Sequence, residues 1–221
     1  MWLLLSPTRL EAPFLRGDPF TFLVWKGLKG GDFVYLETGV GKVNAAMALT
    51  AYALGHPVER ALLFGIAGAY PGSGLALGQA VLIKEEVEAD LGLREGLKPL
   101  GFPALRKGGA RYYNRFPLDP GLTASLKEGL GLGLATGLTR DLVSESLEEA
   151  GALAQRWGAQ VESMEGAAFA RACLALGLRG AELRAVSNPA GVRDRGAWRL
   201  KEALTALEGA VSRVLNLQAP L

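Results

Sequence analysis

The sequence of 221 residues contains a single cysteine and a single histidine. With only Cys173 present, no internal disulfide bond can form, and a reducing compartment, the cytoplasm, is the simpler expectation. Cys173 lies in the apolar run 167–178, which favours a small core residue over a nucleophile. His56 has no second histidine or cysteine nearby, so neither a zinc site nor another metal cofactor is predicted.

An excess of charge of one sign is also missing, because the formal net charge is only +2. Binding of nucleic acid needs clustered Lys and Arg, whereas the basic residues here are spread along the chain. The opening run Met1–Leu5 is too short for a membrane span and has no basic leader. We therefore expect no nucleic-acid or membrane partner, and we predict that this run is a buried first strand.

Hydrophobic residues make up 49% of the chain, which is typical of one globular domain over residues 1–221. Short apolar runs alternate with helical stretches, and this alternation predicts an α/β fold with a mostly parallel central sheet. The predicted strands are Trp2–Leu5, Phe20–Trp25, Phe33–Glu37, Ala61–Ile66, Ala80–Glu88, Leu132–Gly137, Gln160–Glu162 and Glu182–Ser187. The predicted helices are Val43–Ala53, Ser144–Trp157, Met164–Leu176 and Ala197–Leu217.

The local sequence pattern predicts three further features: a hairpin, a long loop and the inward face of the last helix. The glycine-rich turn Gly27–Gly31 indicates a hairpin among the early strands, and residues 92–120 have no steady period, which predicts a long loop or insertion. The last helix has a 3.6-residue period that predicts one inward face. That face comprises Trp198, Leu204, Leu207, Val211 and Leu215.

Two glycine-containing segments follow predicted strands. The segment 38–46 (Thr-Gly-Val-Gly-Lys-Val-Asn-Ala-Ala) is not a P-loop, because Leu36 and Val43 occupy positions where that motif needs Gly and Ser or Thr. It indicates either tight strand-to-helix packing or backbone contact with a ligand. The segment 63–69 ends in small residues, including Ala67 and Gly68, which fits either a compact turn or close approach of a ligand.

Two polar segments follow later strands. In 161–169, Ser163 is a candidate helix cap with Glu165 in the first turn. Glu165 also shares one helix face with Phe169 and Cys173, and a carboxylate there needs a partner, such as a ligand diol. In 183–191, Pro189 ends a strand, and Asn188 is either a turn residue or a ligand contact.

Together and in this order, the four segments resemble the nucleoside phosphorylase/nucleosidase superfamily. Within it the chain looks most like hydrolases related to methylthioadenosine/S-adenosylhomocysteine nucleosidase, and the run from Ser187 through Arg193–Arg195 to Trp198 favours the branch that acts on futalosine. The resemblance implies a three-layer α/β/α fold with a mixed, mostly parallel twisted sheet. It also implies a homo-oligomer in menaquinone biosynthesis whose partner is a small purine nucleoside.

The resemblance also implies roles for individual residues. Met164 and Glu165 match the pair that binds ribose, with Glu165 on the 2′ and 3′ hydroxyls, and Asn188 matches the position that contacts the purine. Glu11 falls where the hydrolases carry a water-activating glutamate, although a solvated loop carboxylate is an open alternative. The further implied substrate contacts are Ala67, Gly68 and Ser187.

Asn188 bears on the choice of base. An amide carries both a donor and an acceptor, so it can donate to O6 of a 6-oxopurine and accept from a protonated N7. Asn188 therefore favours hypoxanthine or guanine over adenine as the leaving group, and futalosine carries hypoxanthine. An amide is not a general acid at neutral pH, so the departing base would be helped by hydrogen bonding alone.

Different residues bear on the identity of the nucleophile and on the binding of the substrate tail. Leu63 and Ile66 stand where phosphorylases of this superfamily hold phosphate, and an apolar pair cannot neutralise that dianion, so water is favoured. The carboxylate tail of futalosine suits an arginine, with Arg193, Arg195 and Arg111 as candidates, although each is equally explained as a solvated surface residue.

The sequence alone leaves several alternative hypotheses open. Trp198 either walls the pocket or anchors the last helix in the core. The alternatives to a futalosine hydrolase are a purine nucleoside phosphorylase, a methylthioadenosine/S-adenosylhomocysteine nucleosidase and a nucleoside-binding module without activity.

Overall fold

The structure, a computed structural model, describes residues 1–217. The strands within these residues are β1 (Trp2–Ser6), β2 (Asp18–Phe22), β3 (Trp25–Lys29), β4 (Phe33–Glu37), β5 (Arg60–Ala69), β6 (Ala80–Glu88), β7 (Leu105–Lys107), β8 (Ala110–Tyr112), β9 (Arg115–Pro117), β10 (Gly133–Thr139), β11 (Val161–Ser163) and β12 (Arg179–Pro189). The helices are α1 (Lys42–Gly55), α2 (Pro120–Leu130), α3 (Leu147–Trp157), α4 (Gly166–Leu176) and α5 (Leu200–Asn216). Within residues 1–217, no helix is both long and apolar enough to cross a membrane.

Ten strands form one mixed sheet in the order β11-β10-β6-β12-β5-β1-β4-β3-β2, with β9 paired to β6. From β11 to β4 the neighbouring strands are parallel except at the antiparallel pair β12–β6. An antiparallel contact between β11 and β5 curls this end of the sheet back on itself. The predicted α/β class with a mixed, largely parallel central sheet is confirmed.

Helices cover both faces of the sheet, as the strand periodicity requires. On β1, Leu3 and Leu5 point into one core cluster, whereas Trp2 and Leu4 point into the other. The first cluster contains residues of α1 and α4, and the second contains residues of α2 and α5. Each fully buried leucine contributes about 1.5–3 kcal/mol, so this alternation fixes the strand's register and the three-layer arrangement.

The predicted single strand Phe20–Trp25 is wrong. The chain turns at Leu23 and Val24, so that Phe22 pairs with Trp25 across the β2–β3 hairpin. Leu23 has a φ of 53° and both tip residues are exposed. Because the residues at the tip of this hairpin are apolar, the hydrophobic pattern predicts a continuous strand there and gives no sign of the turn. The turn expected at Gly27–Gly31 lies slightly later, because β3 runs to Lys29.

The predicted long loop 92–120 is more structured than expected. It contains a 3-10 turn at Lys98–Leu100, the β7–β8 hairpin and β9. The helix α2 that follows was missed by the sequence pattern, because Pro120, Gly121 and Gly129 lower its helical propensity. It forms because the Asp119 carboxylate caps it, accepting from the Leu122 N–H at 2.7 Å.

The last helix begins at Leu200 rather than at Ala197, so Trp198 precedes it. Leu207 and Val211 are buried on its inner face as predicted. On α4, Cys173 is buried, and burial raises the pKa of its thiol, which confirms it as a core residue.

Candidate active site

A cavity of about 310 Å³ opens where β1, β5, β11 and β12 end. Carboxyl ends of parallel strands are the usual place for a ligand in open α/β sheets. The cavity brings together most of the residues singled out from the sequence, namely Glu11, Ala67, Gly68, Met164, Glu165, Ser187, Asn188 and Arg193. Segments that are up to 180 residues apart in the chain thus share one site.

Glu11 ends a short 3-10 turn that follows β1, and only 5% of its surface is exposed. One carboxylate oxygen accepts from the Ile66 N–H at 3.0 Å, and the other accepts from the N–H and the hydroxyl of Thr8 at 3.0 and 2.9 Å. The alternative of a solvated loop carboxylate is therefore wrong. Burial raises the pKa of Glu11 above its ordinary value, which brings this carboxyl closer to the range of a general base.

Glu165 stands at the start of α4 and is 3% exposed. Its Oε1 accepts from the Gly41 N–H at 3.0 Å, and its Oε2 lies 3.4 Å from both terminal nitrogens of Arg184. Gly41 has a φ of 98°, in the region that favours glycine. The first glycine segment therefore uses its backbone to hold the protein's own carboxylate.

Ser163 does not cap α4, as the sequence had suggested. It is the last residue of β11, and its buried hydroxyl has no hydrogen-bond partner among the described residues. Neighbouring Glu162 also borders the cavity, and it accepts from the Tyr70 hydroxyl and the Ser144 N–H, each at 3.1 Å. Both oxygens of Glu162 thus have protein donors, as do those of Glu11 and Glu165.

Asn188 lies near the end of β12, beside a bulge in its pairing with β5. Its Oδ1 accepts from the Ser187 hydroxyl at 2.8 Å, and its Nδ2 donates to the Pro189 carbonyl at 3.0 Å. An amide nitrogen carries two hydrogens and an amide oxygen two lone pairs. One donor and one acceptor of Asn188 therefore remain for a ligand.

Sequence reasoning missed Arg184, Glu182 and Glu86, which lie behind the two glutamates. Arg184 is 1% exposed, and Glu182 and Glu86 are 0% exposed. Their signal was present, because Glu182 and Arg184 occupy alternate positions in an otherwise apolar strand and so point to the same face. We call Glu11 and Glu165, which line the cavity, together with Arg184, which is buried behind them, the floor of the cavity.

The outer wall, which we call the rim, consists of Leu10, Val40, Val143, Arg193 and Trp198. Trp198, which precedes the last helix, lines the cavity, and its indole N–H donates to the Val192 carbonyl at 3.2 Å.

Two of the three candidate arginines do not border the cavity. Arg195 begins an exposed 3-10 turn, and Arg111 is exposed on β8. Among the described residues that line the cavity, Arg193 at the rim is the only cation. Ile66 lines the cavity and Leu63 is buried in the core, so the place expected for phosphate in a phosphorylase is apolar.

Comparison with known proteins adds independent findings. The phosphorylase superfamily model matches residues 6–218. A protein named futalosine hydrolase from Thermus thermophilus is 76% identical over 97% of this chain and 95% of its own length. Another from Streptomyces coelicolor is 38% identical over 81% of this chain and 77% of its own length.

Solved structures share the fold at lower identity. A futalosine hydrolase mutant from Helicobacter pylori has a TM-score of 0.82 with 19% identity, covering 97% of this chain and 98% of that one. A methylthioadenosine/S-adenosylhomocysteine nucleosidase from Colwellia psychrerythraea, in complex with adenine, has a TM-score of 0.81 with 22% identity, covering 97% and 94%. From the family model and the two sequence relatives, the chain belongs to the phosphorylase superfamily and groups there with proteins named futalosine hydrolase.

Proposed function

We propose that this protein hydrolyses the N-glycosidic bond of futalosine and releases hypoxanthine and dehypoxanthine futalosine. The observation that carries the proposal is the convergence of Glu11, Glu165 and Asn188 on one cavity, whose described lining residues include no cation other than Arg193. That arrangement suits water rather than phosphate as the nucleophile. The names of the relatives in Thermus and Streptomyces point to the same substrate.

In the proposed complex, Glu165 accepts hydrogen bonds from the ribose 2′ and 3′ hydroxyls, and Met164 packs against the sugar. The Gly41 N–H and Arg184 hold the carboxylate in place before the substrate arrives. Such preorganisation avoids a reorganisation cost during the reaction. Ala67, Gly68 and Ser187 form the wall that the base approaches.

The proposed reaction is dissociative. The bond between the anomeric carbon and the purine nitrogen breaks with its electron pair leaving on the base, and the ribose gains positive charge that Glu165 stabilises. Asn188 hydrogen bonds to the departing hypoxanthine, which takes its proton from solvent. Glu11 accepts a proton from water as the water oxygen bonds to the anomeric carbon.

The rim suits the carboxyphenyl tail of futalosine. Leu10, Val40 and Val143 offer apolar contact, and Trp198 adds an aromatic wall. Arg193 lies at the same opening, where its guanidinium can pair with the tail carboxylate. Arg195, which does not border the cavity, is left without this role.

We further infer a cytoplasmic homo-oligomer that serves menaquinone biosynthesis. Support for assembly comes from apolar side chains left exposed on and beside α1, where Val43 is 70% and Met47 is 54% exposed. Val40, at the mouth of the cavity, is 49% exposed. Size-exclusion chromatography with light scattering tests the assembly, and a monomer at micromolar concentration would refute it.

The function is tested by incubating the protein with futalosine, inosine and methylthioadenosine, each with and without phosphate, and identifying the released base by chromatography. We expect hypoxanthine from futalosine at a rate that phosphate does not change. Release that requires phosphate would establish a phosphorylase, and release of adenine from methylthioadenosine in preference would establish the related nucleosidase. Binding without turnover of any of the three would establish a binding module.

A further inference from the structure

Arg184 is the hub of a buried charged cluster. Its Nε donates to Glu182 Oε1 at 2.8 Å, whereas its terminal nitrogens lie 3.4 Å from Glu165 Oε2 and one of them also lies 3.4 Å from the Ile66 carbonyl oxygen. A guanidinium is planar, so the Nε bond fixes the plane in which the other two nitrogens point. The shortest contact, with Glu182, therefore sets where Arg184 meets Glu165.

The same guanidinium lies close to Glu11. A Cβ added to Gly65 would lie 2.7 Å from Glu11 Oε1 and 2.8 Å from an Arg184 terminal nitrogen, so both groups occupy the space that this glycine leaves. Ile66 joins them as well, because its N–H donates to Glu11 and its carbonyl accepts from Arg184. The position of Arg184 therefore affects both glutamates of the proposed mechanism.

A second carboxyl faces Glu182. Glu86 on β6 is fully buried, and its Oε1 has no partner among the described atoms, as is true of Glu182 Oε2. A Cβ on Gly166 would collide with Glu86 Oε1 and would lie 2.6 Å from Glu182 Oε1. Two ionised carboxylates cannot share so small and dry a space, so one of them holds a proton.

The hydrogen bonds decide where that proton lies. Burial raises the pKa of Glu182 too, but Glu182 accepts from the Arg184 cation, which favours its ionised form over that of Glu86. Glu86 Oε2 accepts from the Thr139 hydroxyl at 2.8 Å, and the oxygen of that hydroxyl accepts from the Ala167 N–H at 2.8 Å. Burial and the Glu182 charge hold the pKa of Glu86 well above its ordinary range. The proton therefore lies on Glu86.

We propose that Glu182 is a positioning residue that holds the Arg184 guanidinium against Glu165 and beside Glu11, and that Glu86 is a neutral acid that donates to the Glu182 carboxylate. A chain of donors then runs from the first turn of α4 through Thr139 and Glu86 to the Glu182 carboxylate, which also accepts from Arg184. Neither Glu86 nor Glu182 touches substrate. The role of Glu182 in turnover rests on the proposed function, whereas the protonation of Glu86 does not.

Several titratable groups face Glu182 from its own strand and from the elements that pack against it. They are Glu86 on β6, Arg184 on its own strand, Glu165 at the start of α4 and the Cys173 thiol on α4. Burial raises the pKa of Cys173, so that thiol carries no charge. A pH effect of changing Glu182 is thus transmitted through Arg184 to Glu165 and Glu11.

Two matched substitutions, Glu182→Gln and Glu86→Gln, separate the roles, because each replaces a buried carboxyl by an isosteric amide. Glu86→Gln keeps a donor toward Glu182, so kcat and KM should stay within about twofold of wild type. Glu182→Gln removes the anion that balances Arg184, so kcat should fall roughly 10- to 100-fold with KM changed less. The acid limb of its kcat/KM profile should move down by about one pH unit, because Arg184, which then keeps only Glu165 as an ionic partner, lowers the pKa of Glu11.

Protonation of Glu86 is tested without turnover. Infrared spectra of the wild-type protein at pH 7 should contain the carbonyl stretch of a protonated carboxylic acid, and this band should be absent from Glu86→Gln. The unfolding temperature of the wild type should fall more steeply than that of Glu86→Gln between pH 5 and 9, since a raised carboxyl pKa loses stability as pH rises. Both measurements use only the wild type and Glu86→Gln, so they test the protonation of Glu86 even if Glu182→Gln does not fold.

The inference is overturned if the two variants have equal kinetics and equal acid limbs, or if wild-type spectra lack the protonated band. Either result with normal futalosine hydrolysis by the wild type leaves the proposed function intact. If the wild type does not hydrolyse futalosine but its spectrum contains the band, the proposed function and the kinetic role of Glu182 are both refuted. The protonation of Glu86 is then still supported.

Discussion

The floor of the cavity and its rim hold their side chains differently, although Leu10 and Glu11 are neighbours in one 3-10 turn. In the floor, Glu11 and Glu165 are 5% and 3% exposed and every carboxylate oxygen has a protein donor. At the rim, Leu10 and Val40 are 59% and 49% exposed and belong to turns and loops. Fixed charges suit the chemical step, whereas an open apolar edge suits contacts with the part of the substrate that does not react.

This contrast separates two kinds of mutational effect. Changes in the floor should lower kcat for every substrate, because they disturb charges used in the transition state. Changes at the rim should raise KM for futalosine and leave nucleosides without the tail unaffected.

The largest effect is expected for Glu165→Gln. The amide keeps the shape but loses the charge that stabilises the developing ribose cation, so kcat/KM for futalosine should fall roughly 10²- to 10⁴-fold. Steady-state release of hypoxanthine measures it. Glu128→Gln, an exposed residue on α2, is the control and should behave as wild type. A loss of less than threefold would contradict the role of the floor.

A smaller loss is expected for Gly65→Ala, which adds one methyl group to the floor. That Cβ would lie 2.7 Å from Glu11 Oε1 and 2.8 Å from an Arg184 nitrogen, so both groups must move. Misplacement of catalytic groups by a fraction of an ångström should lower kcat roughly 10- to 100-fold.

The control for that variant is Gly31→Ala, where a Cβ has no neighbour within 4 Å among residues 1–217. It should retain wild-type kcat. Equal activity of the two alanine variants would mean that the floor tolerates displacement, and the contrast with the rim would then fail.

The smallest effect is expected for Arg193→Met at the rim. Because Arg193 is exposed, loss of its ion pair with the tail carboxylate costs about 0.5–1 kcal/mol, which should raise KM for futalosine about two- to fivefold while kcat changes little. Turnover of inosine, which has no tail carboxylate, should be unchanged. Arg195→Met serves as the matched control outside the cavity, and an equal rise in KM for both variants would argue against a specific role of Arg193.

The fold was predictable where hydrophobic period and segment length agreed. The buried strands β1 and β5 and the helix α4 follow from apolar runs that the core requires. The β2–β3 turn was not predictable, because Leu23 and Val24 at its tip are apolar, and α2 was hidden by its glycines. In both places tertiary packing and capping outweigh local composition.

The residues of the site that face the proposed substrate were predictable from the sequence, whereas the buried carboxyls behind them were not. Glu11, Glu165 and Asn188 lie in motifs that resemble a known family, so their convergence was expected. Glu86 and Glu182 belong to no such motif, and a charge inside a strand is ordinarily assigned to the solvent-facing side. The antiparallel pairing of β6 with β12, beside the start of α4, makes these carboxyls neighbours.

The central claim is that Glu11 is the base that activates water, and the pH dependence of kcat/KM for wild type and Glu11→Gln tests it most directly. The base must be ionised, and burial raises its pKa, so the wild-type acid limb should lie above the ordinary glutamate value of about 4.3. In Glu11→Gln the rate should be roughly 10²- to 10⁴-fold lower and that limb should be absent. A Glu11→Gln enzyme with the wild-type rate and the wild-type limb would contradict the account.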